Sequence, residues 1–562
     1  MISNVMRNSI PGRLLSAVVL FLYDNFGKGN VARFTDFLET SWAGSFSQRV
    51  WYSFCSASPN MEGSKYARLM TWMRKGIFAL GDMLQKSLFY KGMLTLRRGY
   101  EKITAGSVVF SQINRLSLRQ WVLVAFAFYL PLEYIIRDRL SLPLISSVWE
   151  ELFLAAAAFL ILWRTALRQR ESIARQTPLD GFLVLFAAVG LLLMSLVSPH
   201  PAVAVAGYRA VVEYMIWFFL MIRLIEDDRD FKVLYYAFVI LAAGLSLHGI
   251  YQYIVAVPIP STWVSQTEMG VRTRVFSLTG SPNIFGSLLV LLAPLAAGLV
   301  YYSEKAWQKL LFFGVTGMMC LCLLFTFSRG AWVGMVVAVL VFACYVDRRI
   351  LALMGAAVAG VLVFVPSITS RLTYLFTSDY AEASAVGGRA VRWETGRLLL
   401  SENNPWLGFG LGRFGGAVAM NNKLLDETEE FQYFYMDNYY LKTMVEMGYL
   451  GIIVFAVLLA ALLIWGLRAI WRSGIPAQNT PLLCASCDRD LKKGIKNDPL
   501  LRAVGDVKLL AVSIFSGICG VLVHCYFENI FEEPYMMAYF WGLAAALMYL
   551  GFFRKPYLEP NR

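Results

Sequence analysis

Charged residues are scarce in this 562-residue sequence. Asp, Glu, Lys and Arg make up only 16% of the chain, whereas soluble domains average about 25%. Hydrophobic residues account for 58% of the sequence, and the mean hydropathy is +0.55. This composition disfavours a soluble globular protein. It predicts an all-α polytopic membrane protein.

Residue types that bind metals are also few. The chain has three histidines, and its eight cysteines are scattered. Cys484 and Cys487 form a single C-x-x-C pair, whereas a structural zinc site takes four ligands. We therefore expect neither a metal site nor another cofactor.

The sequence lacks nucleotide-binding motifs. G-x-x-x-x-G-K-[ST] does not occur, and the one stretch that fits G-x-G-x-x-G, GLGRFG at 410–415, follows no parallel-strand pattern. The glycine-rich stretch LGFGLGRFGG at 407–416 has no Lys-Ser pair, so we interpret it as a close-packed turn that uses the conformational freedom of glycine. The net charge of +13 does not indicate nucleic acid, because the basic residues lie in short loops between apolar segments. That distribution is typical of membrane orientation.

Long apolar segments begin near residue 119. Each approaches the roughly 18 to 20 residues that a membrane span requires. We predict about twelve spans, near 120–136, 141–163, 180–198, 203–222, 233–257, 284–302, 309–327, 331–346, 350–368, 446–467, 509–529 and 534–553. Residues 1–118 hold no such run. Their basic, amphipathic stretches indicate either a region on the anionic cytoplasmic leaflet or an extension without activity.

The distribution of Lys and Arg predicts the orientation. Most of these residues fall in alternate loops, and the positive-inside rule makes those loops cytoplasmic. We expect a multi-pass protein of the inner or plasma membrane, with both termini in the cytoplasm. The predicted regions are 1–118 at the membrane surface, 119–368 with spans one to nine, 369–445 as a large extracytoplasmic loop, and 446–562 with three spans and a cytoplasmic loop at 468–508.

The large loop and its borders carry the polar residues most suited to chemistry. Arg329, at the head of a span in TFSRGAWVGM, is either an interfacial arginine that snorkels or a ligand for a lipid diphosphate. Arg389, Arg392 and Trp393 open a predicted helix that ends before Asn404-Pro405. They line either one substrate-facing surface or an ordinary solvated face.

A carboxylate and an amide precede the next span. Asp437 and Asn438 in MDNYYLKTMV come just before a helical pattern, which makes Asp437 a natural N-cap. A carboxylate at that place is also suited to accept a proton from an attacking hydroxyl group. Both interpretations remain open from the sequence.

Three further features are less specific. The stretch VRTRVFSLTGSPNIFG places Arg272, Arg274 and Asn283 in a re-entrant turn or a simple loop. Arg209 and Glu213, four residues apart in one span, predict a buried structural pair. The stretch HCYFENIFEEPYMMAYFW places an interhelical His524 before three glutamates that could face the loop, namely Glu528, Glu532 and Glu533.

In their order, these stretches resemble the O-antigen ligase and polymerase superfamily of bacterial membrane glycosyltransferases. The resemblance covers roughly residues 180–550. It is carried by SPNIFG, TFSRGAWVG, R-x-x-x-W, NPWLGFGLGRF, DNYYL and EMGYLG. It implies a GT-C-like helical fold and an enzyme that moves a glycan from undecaprenyl diphosphate to an acceptor hydroxyl group on the extracytoplasmic face, without a metal. Ligase and polymerase use the same donor, and the acceptor is a lipid, a glycan or a protein.

The resemblance also implies roles for individual residues. The important arginines of the family match Arg329 and Arg389, and its usual His-Asn pair is Asp437-Asn438 here. We expect Asp437, Arg329 and Arg389 to be catalytic. We expect the substrate-binding residues to be Arg392, Trp393, Arg272, Arg274, Asn283, Asn438, Tyr439 and Arg413, with Trp393, Trp406 and Tyr439 as stacking surfaces for sugar.

Two other functions fit the composition. A transporter or flippase for lipid-linked oligosaccharide would also have about twelve spans and arginines that bind diphosphate, but it should show a repeat with broken spans in matching halves. We find no convincing repeat. A non-enzymatic scaffold for a polysaccharide assembly complex is favoured only by residues 1–118.

Overall fold

The computed structural model describes residues 65–104, 115–140, 143–167, 175–260, 273–364, 388–423, 434–474 and 499–554, and a few positions between 369 and 377. Within these ranges the chain forms helices and turns and no β-strand. The first nine helices are α1 Lys65–Lys86, α2 Leu88–Thr104, α3 Leu118–Ala127, α4 Tyr129–Tyr134, α5 Pro143–Ala166, α6 Asp180–Val197, α7 Pro201–Val212, α8 Ile216–Leu224 and α9 Asp228–Val255. The others are α10 Pro282–Tyr302, α11 Ala306–Phe325, α12 Arg329–Tyr345, α13 Arg349–Phe364, α14 Arg389–Glu402, α15 Ala417–Asn422, α16 Tyr439–Ser473, α17 Pro499–His524 and α18 Pro534–Met548.

Single turns of another pitch extend three of these helices. A π-helix at Ile135–Leu140 continues α4, a 3₁₀ turn at Glu213–Met215 joins α7 to α8, and a π-helix at Tyr549–Phe553 follows α18. A separate 3₁₀ turn, Ile530–Glu532, precedes α18.

Nine helical segments of the described chain are long and apolar enough to cross a membrane. They are Ile145–Ala166, Asp180–Val197, Pro201–Leu224, Asp228–Val255, Pro282–Tyr302, Ala306–Phe325, Tyr439–Ser473, Asp506–His524 and Pro534–Phe553. The three remaining predicted spans fall on shorter apolar helices, Leu118–Ala127, Arg329–Tyr345 and Arg349–Gly360. The all-α polytopic class is therefore confirmed, whereas among the described residues nine helices reach the length of a full span and the count of twelve is not confirmed.

Helix α10 lies at the centre of the bundle. Most of its side chains are buried, and it packs closely on α17. Small residues permit this approach: a methyl group on Gly517 would lie 2.2 Å from the carbonyl oxygen of Leu291, and one on Gly520 would lie 2.7 Å from that of Gly334 in α12. Apolar helices in lipid associate through such close backbone contacts.

The two described helices of the N-terminal region have the predicted amphipathic character. α1 and α2 leave large apolar residues such as Trp72, Met83 and Leu88 exposed. At Gly81 the backbone of α1 rests directly on Ala166, at the end of α5. Association of this region with a membrane leaflet stays a prediction.

Helix α16 is broken at Gly448, and the glycine-rich loop fills the break. Gly448 has φ 65° and ψ −170°, so the helical hydrogen bonds around it are lost. Backbone groups of the loop replace them: Phe409 N–H donates to Val445 (2.8 Å), Gly410 N–H donates to Glu446 (3.0 Å), and Pro405 accepts from Tyr449 (2.8 Å).

Glycine is required at both sides of this junction. A methyl group on Gly408, where φ is 83°, would lie 2.4 Å from the nitrogen of Gly448, and one on Gly448 would lie 2.4 Å from the oxygen of Trp406. The prediction of a close-packed turn at 407–416 is confirmed. The junction fixes the loop to the end of the bundle that carries α14 and α15, hereafter the loop end.

A buried ionic group supports the same junction. Lys442 Nζ lies 2.9 Å from Glu446 Oε2 and 3.3 Å from Glu532 Oε2. The other oxygens of the two carboxylates accept from the backbone, Glu446 from Phe414 N–H (3.1 Å) and Glu532 from Ala417 N–H (2.8 Å). Buried charges that are paired and hydrogen-bonded in this way are strongly destabilised by the loss of one partner.

The start of α16 corrects two predictions. The helix begins at Tyr439, seven residues before the predicted span at 446–467. Its N-cap is Asn438, whose side chain accepts from Leu441 N–H at 3.0 Å, and not Asp437. Asp and Asn are both good N-caps. Asn438 takes this role because the Asp437 carboxylate is bound by Arg389 and Trp393 instead.

Candidate active site

Four side chains converge where α14 meets the start of α16. Arg389 Nε donates to Asp437 Oδ2 at 2.5 Å, and Trp393 Nε1 donates to Asp437 Oδ1 at 3.2 Å. Arg392 Nη1 lies 4.0 Å from the same carboxylate and donates to the Tyr435 carbonyl oxygen at 3.2 Å. Asp437 is only 8% exposed, so a nearly buried carboxylate is held by a charge-assisted hydrogen bond and an indole.

The helix that presents these groups has the predicted bounds. α14 begins at Arg389 after Gly388 and ends at Glu402, before Asn404-Pro405. Arg389, Arg392 and Trp393 occupy its first two turns and therefore share one side, as their spacing requires. The structure therefore places these three residues on one surface, as the sequence predicted.

The turn after α17 connects this cluster to Arg329. The Phe527 carbonyl oxygen accepts from Arg389 Nη2 at 3.0 Å. A methyl group on Gly330 would lie 2.7 Å from Cβ of Phe527 and 2.8 Å from the ring of His524. Arg329 is the first residue of α12 and precedes Gly330. Because Gly330 packs on the turn that binds Arg389, Arg329 lies near the same turn.

His524 is a contact between helices, as predicted. Its Nδ1 lies 2.7 Å from the hydroxyl oxygen of Ser287, and the ring is 1% exposed. Because α10 and α17 are joined here, the position of the turn that follows His524 is fixed relative to α10.

A second polar chain reaches the same turn from α10. Arg274 Nε donates to the Thr326 carbonyl oxygen (3.0 Å), and Arg274 Nη2 donates to Asn283 Oδ1 (3.0 Å). The amide nitrogen of Asn283 in turn donates to Glu528 Oε2. Arg274 and Asn283 are therefore brought to the site region, whereas Arg272 lies outside the described residues.

Glu528, one of the three glutamates that could face the loop, is a site residue to which the sequence assigned no role of its own. Burial raises the pKa of Glu528, the nearby charge of Arg389 lowers that pKa, and the charge of Asp437 raises it. Its carboxyl group is thus electrostatically coupled to both members of the central pair. The only sequence signal was its place in FENIFEEP after a predicted span, which three glutamates share.

Three predicted site residues do not join the cluster. Asn438 serves as the cap of α16. Tyr439 is 2% exposed and packs edge-on against Phe455 and Phe531, with ring centroids 5.7 and 5.2 Å away. Its ring is thus a packing element rather than an open stacking surface.

The third of these residues, Arg413, stays on the glycine-rich loop. Its guanidinium group stacks 4.0 Å above the ring of Phe409 and donates to the carbonyl oxygen of that residue. Trp406, by contrast, is exposed, with the ring of Tyr449 perpendicular to it at 5.7 Å, so its role as a stacking surface stays a prediction.

Metal ligands do not cluster in the described part of the chain. No group of three or more His, Cys, Asp or Glu side chains with a suitable arrangement occurs there. Cys484 and Cys487 fall outside the described residues.

A comparison with protein families identifies one domain. Residues 314–456 match the O-antigen ligase family. This region includes Arg329, α14, the glycine-rich loop and Asp437, but neither Asn283 nor Glu528. No curated protein matches the chain. Residues 314–456 therefore form an O-antigen ligase domain, which together with the membrane helices around it supports an O-antigen ligase-like membrane enzyme.

Proposed function

We propose that the protein transfers a glycan from undecaprenyl diphosphate to an acceptor hydroxyl group on the extracytoplasmic face of the membrane. The observation that carries the proposal is the convergence of Arg389, Arg392 and Trp393 on Asp437, beside the turn that packs on Gly330. All of these residues lie within the O-antigen ligase domain.

The arginines are suited to the leaving group. When the bond between the anomeric carbon and the diphosphate oxygen breaks, its electron pair moves to the diphosphate. A guanidinium group stabilises that developing charge through paired N–H donors that match phosphate oxygens. In this proposal Arg389 and Arg329 bind the diphosphate, and Arg392 adds positive charge beside them.

Asp437 is suited to the acceptor. The acceptor hydroxyl oxygen attacks the anomeric carbon from the side opposite the diphosphate, and its proton moves to the Asp437 carboxylate. Attack from that side inverts the configuration of the anomeric carbon. Arg389 touches Asp437 directly, so one guanidinium group orients the base and, in the proposal, binds the leaving group.

The charge distribution supports an extracytoplasmic site. If the loops rich in Lys and Arg are cytoplasmic, α14 and the start of α16 lie on the opposite face. Neither ATP nor a nucleotide sugar is available there. A donor already activated as a lipid diphosphate meets this requirement.

The test is transfer by the purified protein in liposomes. Wild-type protein receives undecaprenyl-diphosphate-linked glycan with candidate acceptors, each a lipid, a glycan or a peptide that bears hydroxyl groups. We expect acceptor-dependent release of undecaprenyl diphosphate and an inverted linkage in the product. Movement of intact donor across the bilayer without release would instead identify a transporter. If neither release nor movement occurs, only a scaffold role is left.

A further inference from the structure

A polar cluster that the proposed reaction does not use lies within the apolar helices near the loop end. It contains five carboxylates and two guanidinium groups, those of Glu133, Glu150, Glu151, Glu213, Glu533, Arg137 and Arg209. These residues come from the α4 region, α5, α7 with its 3₁₀ turn, and the residue before α18. We call this set the acidic cluster.

Part of the acidic cluster is exposed at membrane depth. Arg209 lies inside the candidate span Pro201–Leu224, and its side chain is 53% exposed. It binds Glu151, 38% exposed, and its Nε lies 2.8 Å from Glu213 Oε2. The pair with Glu213 is confirmed, but its predicted burial is wrong for Arg209. Charged groups within membrane spans usually face the bundle interior or a water-filled cavity, where they often mark substrate paths.

The inner part of the acidic cluster is closely bonded around Glu150, which is 6% exposed. Arg137 Nη2 lies 2.6 Å from Glu150 Oε1, and Arg137 Nε lies 3.4 Å from Glu133 Oε1. The Tyr214 hydroxyl group donates to the second oxygen of Glu150. Tyr214 belongs to the 3₁₀ turn that interrupts the span, and such interruptions frequently mark functional positions.

Three buried polar atoms beside the acidic cluster are available to bind a ligand. The hydroxyl groups of Tyr129 and Tyr535 and the Oε2 atom of Glu133 are buried without a hydrogen-bond partner among the described residues. Tyr129 and Tyr535 are only 1% and 3% exposed. Buried polar groups are normally satisfied by protein, water or ligand.

These atoms face the acidic cluster. The Tyr129 hydroxyl group interacts electrostatically with Glu150 and Glu133, and that of Tyr535 interacts with Glu533 and Glu133. The ring of Tyr129 lies 4.6 Å from that of Trp149, so the unsatisfied groups are set among aromatic surfaces. Aromatic faces beside carboxylates and hydroxyl groups suit the apolar faces and hydroxyl groups of a sugar.

The acidic cluster continues to the candidate active site but has the opposite charge. Glu533 interacts with Glu528, and Glu528 interacts with Arg389. Burial, followed by the charges of Glu532 and Glu528, raises the pKa of Glu533 to about 7. A diphosphate is attracted to the arginine side and repelled by the acidic side, whereas an uncharged polyol can donate hydrogen bonds to the carboxylates.

We propose that the acidic cluster, with the hydroxyl groups of Tyr129 and Tyr535, binds the hydroxyl-rich glycan of the acceptor. That the bound glycan belongs to the acceptor rests on the proposed function. That a glycan binds at this place rests on the unsatisfied hydroxyl groups. The donor diphosphate and the acceptor glycan then bind on two sides of the turn that contains Glu528.

The test compares binding of two glycan fractions from cells that carry the gene, the lipid-linked envelope glycan in mixed micelles and its delipidated chain. Binding to purified protein is followed by saturation-transfer NMR and titrated to an affinity. The variants are Tyr129→Phe, Tyr535→Phe and Glu150→Gln. The control is Glu394→Gln, a solvent-exposed carboxylate on α14.

We expect the two Tyr→Phe variants to bind glycan roughly three- to tenfold more weakly each, since each removes one hydrogen bond to the ligand. Their melting temperature without glycan should not fall, because an unsatisfied buried hydroxyl group is removed. A purely structural role would produce the reverse pattern. Binding of undecaprenyl diphosphate should remain unchanged in all variants.

The outcomes separate the two proposals. Weaker binding of both fractions by the variants shows that sugar alone is recognised, and weaker binding of the lipid-linked fraction alone shows that the lipid anchor contributes; both results support the assignment. Wild-type protein that binds neither fraction, or variants that bind like wild type, overturns it. If the glycan binds here and yet no transfer occurs in liposomes, the proposed function fails while the glycan site remains.

Discussion

Asp437 is the residue on which the proposed chemistry depends most. Its carboxylate is almost buried, and each of its oxygens accepts a hydrogen bond, one from Arg389 and one from Trp393. These contacts fix the carboxylate in one orientation. A base must be held in this way to meet a hydroxyl group at hydrogen-bond distance.

Asp437→Asn should reduce glycan transfer about 10²- to 10⁴-fold, the usual contribution of general acid–base catalysis. The amide oxygen can still accept from Trp393, so donor binding should change much less than the transfer rate. Single-turnover rates and undecaprenyl diphosphate binding measured on the same preparation check this. Asn438→Asp, which keeps a side chain that can cap α16, is the matched control, and equal activity of Asp437→Asn and wild type would remove Asp437 as the base.

Glu533 makes stability depend on pH. Its pKa is raised to about 7 by burial and by Glu532 and Glu528, from an ordinary value of 4.5. The folded state therefore favours the protonated carboxyl group. The resulting stabilisation is fully present below pH 4.5 and is lost as the pH rises through 7.

Glu533→Gln should be more stable than wild type at pH 8 by at most about 3 kcal/mol and scarcely more stable at pH 4. The neutral amide copies the protonated carboxyl group and does not ionise. Thermal unfolding in detergent at both pH values measures the difference. The exposed Glu394→Gln should show no such pH dependence, and a Glu533→Gln advantage that is equal at both values would contradict the assignment.

At the scale of elements, the loop end is held together because the glycine-rich loop fits into the break in α16. The glycine-rich loop supplies backbone hydrogen bonds to the break in α16, and Lys442, Glu446 and Glu532 hold the two together from within. The N-terminal residues of α16 are thereby fixed in register with α14. The geometry around Asp437 follows from a junction formed some ten residues further along α16.

Gly448→Ala should destabilise the protein by several kcal/mol, because the new methyl group meets the Trp406 carbonyl oxygen at 2.4 Å in a backbone conformation that disfavours side chains. Transfer should fall with it. Gly317→Ala is the control, since a methyl group there meets no atom within 4 Å inside α11 and alanine is the better helix former. Unfolding midpoints of the two variants should move in opposite directions; a neutral Gly448→Ala would show that the junction does not hold the loop.

Much of the helical framework could be predicted because lipid imposes it. A chain in hydrocarbon must satisfy its backbone within helices, so apolar runs such as 284–302 and 534–553 locate helices well. Short-range patterns also placed α14 and the tight turn at 407–416. The break at Gly448 escaped prediction, because it depends on residues about forty positions earlier in the chain.

The site was predictable only where its members are near in sequence. Arg389, Arg392 and Trp393 share a helix face by spacing alone. The choice between Asp437 and Asn438 as N-cap depended on Arg389, which no local rule brings close. Glu528 joins the site from a turn ninety residues beyond Asp437. Arg209 is exposed because the neighbouring helices leave a polar region open. Neither fact could be predicted from the local sequence.

At the scale of the whole molecule, the two ends of the bundle differ in charge and in architecture. The loop end holds α14, α15 and the broken start of α16. The other end carries α1, which packs on the last residue of α5. From the positive-inside rule we expect the loop end to face the exterior.

A cysteine at Arg397, which is exposed on α14, should react with a membrane-impermeant thiol reagent added to intact cells, in a background without the exposed Cys344. A cysteine at Met83 in α1, also exposed, should react only after the membrane is opened. Mass-shift labelling reports both. The reverse labelling pattern would mean that the protein has the opposite membrane orientation, with the candidate site in the cytoplasm.

The central claim is that the arginines beside Asp437 bind a lipid diphosphate, and its most direct measurement is the affinity of the purified protein for undecaprenyl diphosphate. Each of Arg389→Ala and Arg329→Ala, measured below its melting temperature, should weaken binding roughly ten- to a hundredfold, the effect of losing one charged hydrogen-bonding group. Arg389→Ala should also lower the melting temperature, because Asp437 loses its ion pair. Arg397→Ala, an exposed arginine on the same helix as Arg389, should bind like wild type. Equal affinity in all four proteins would contradict the account.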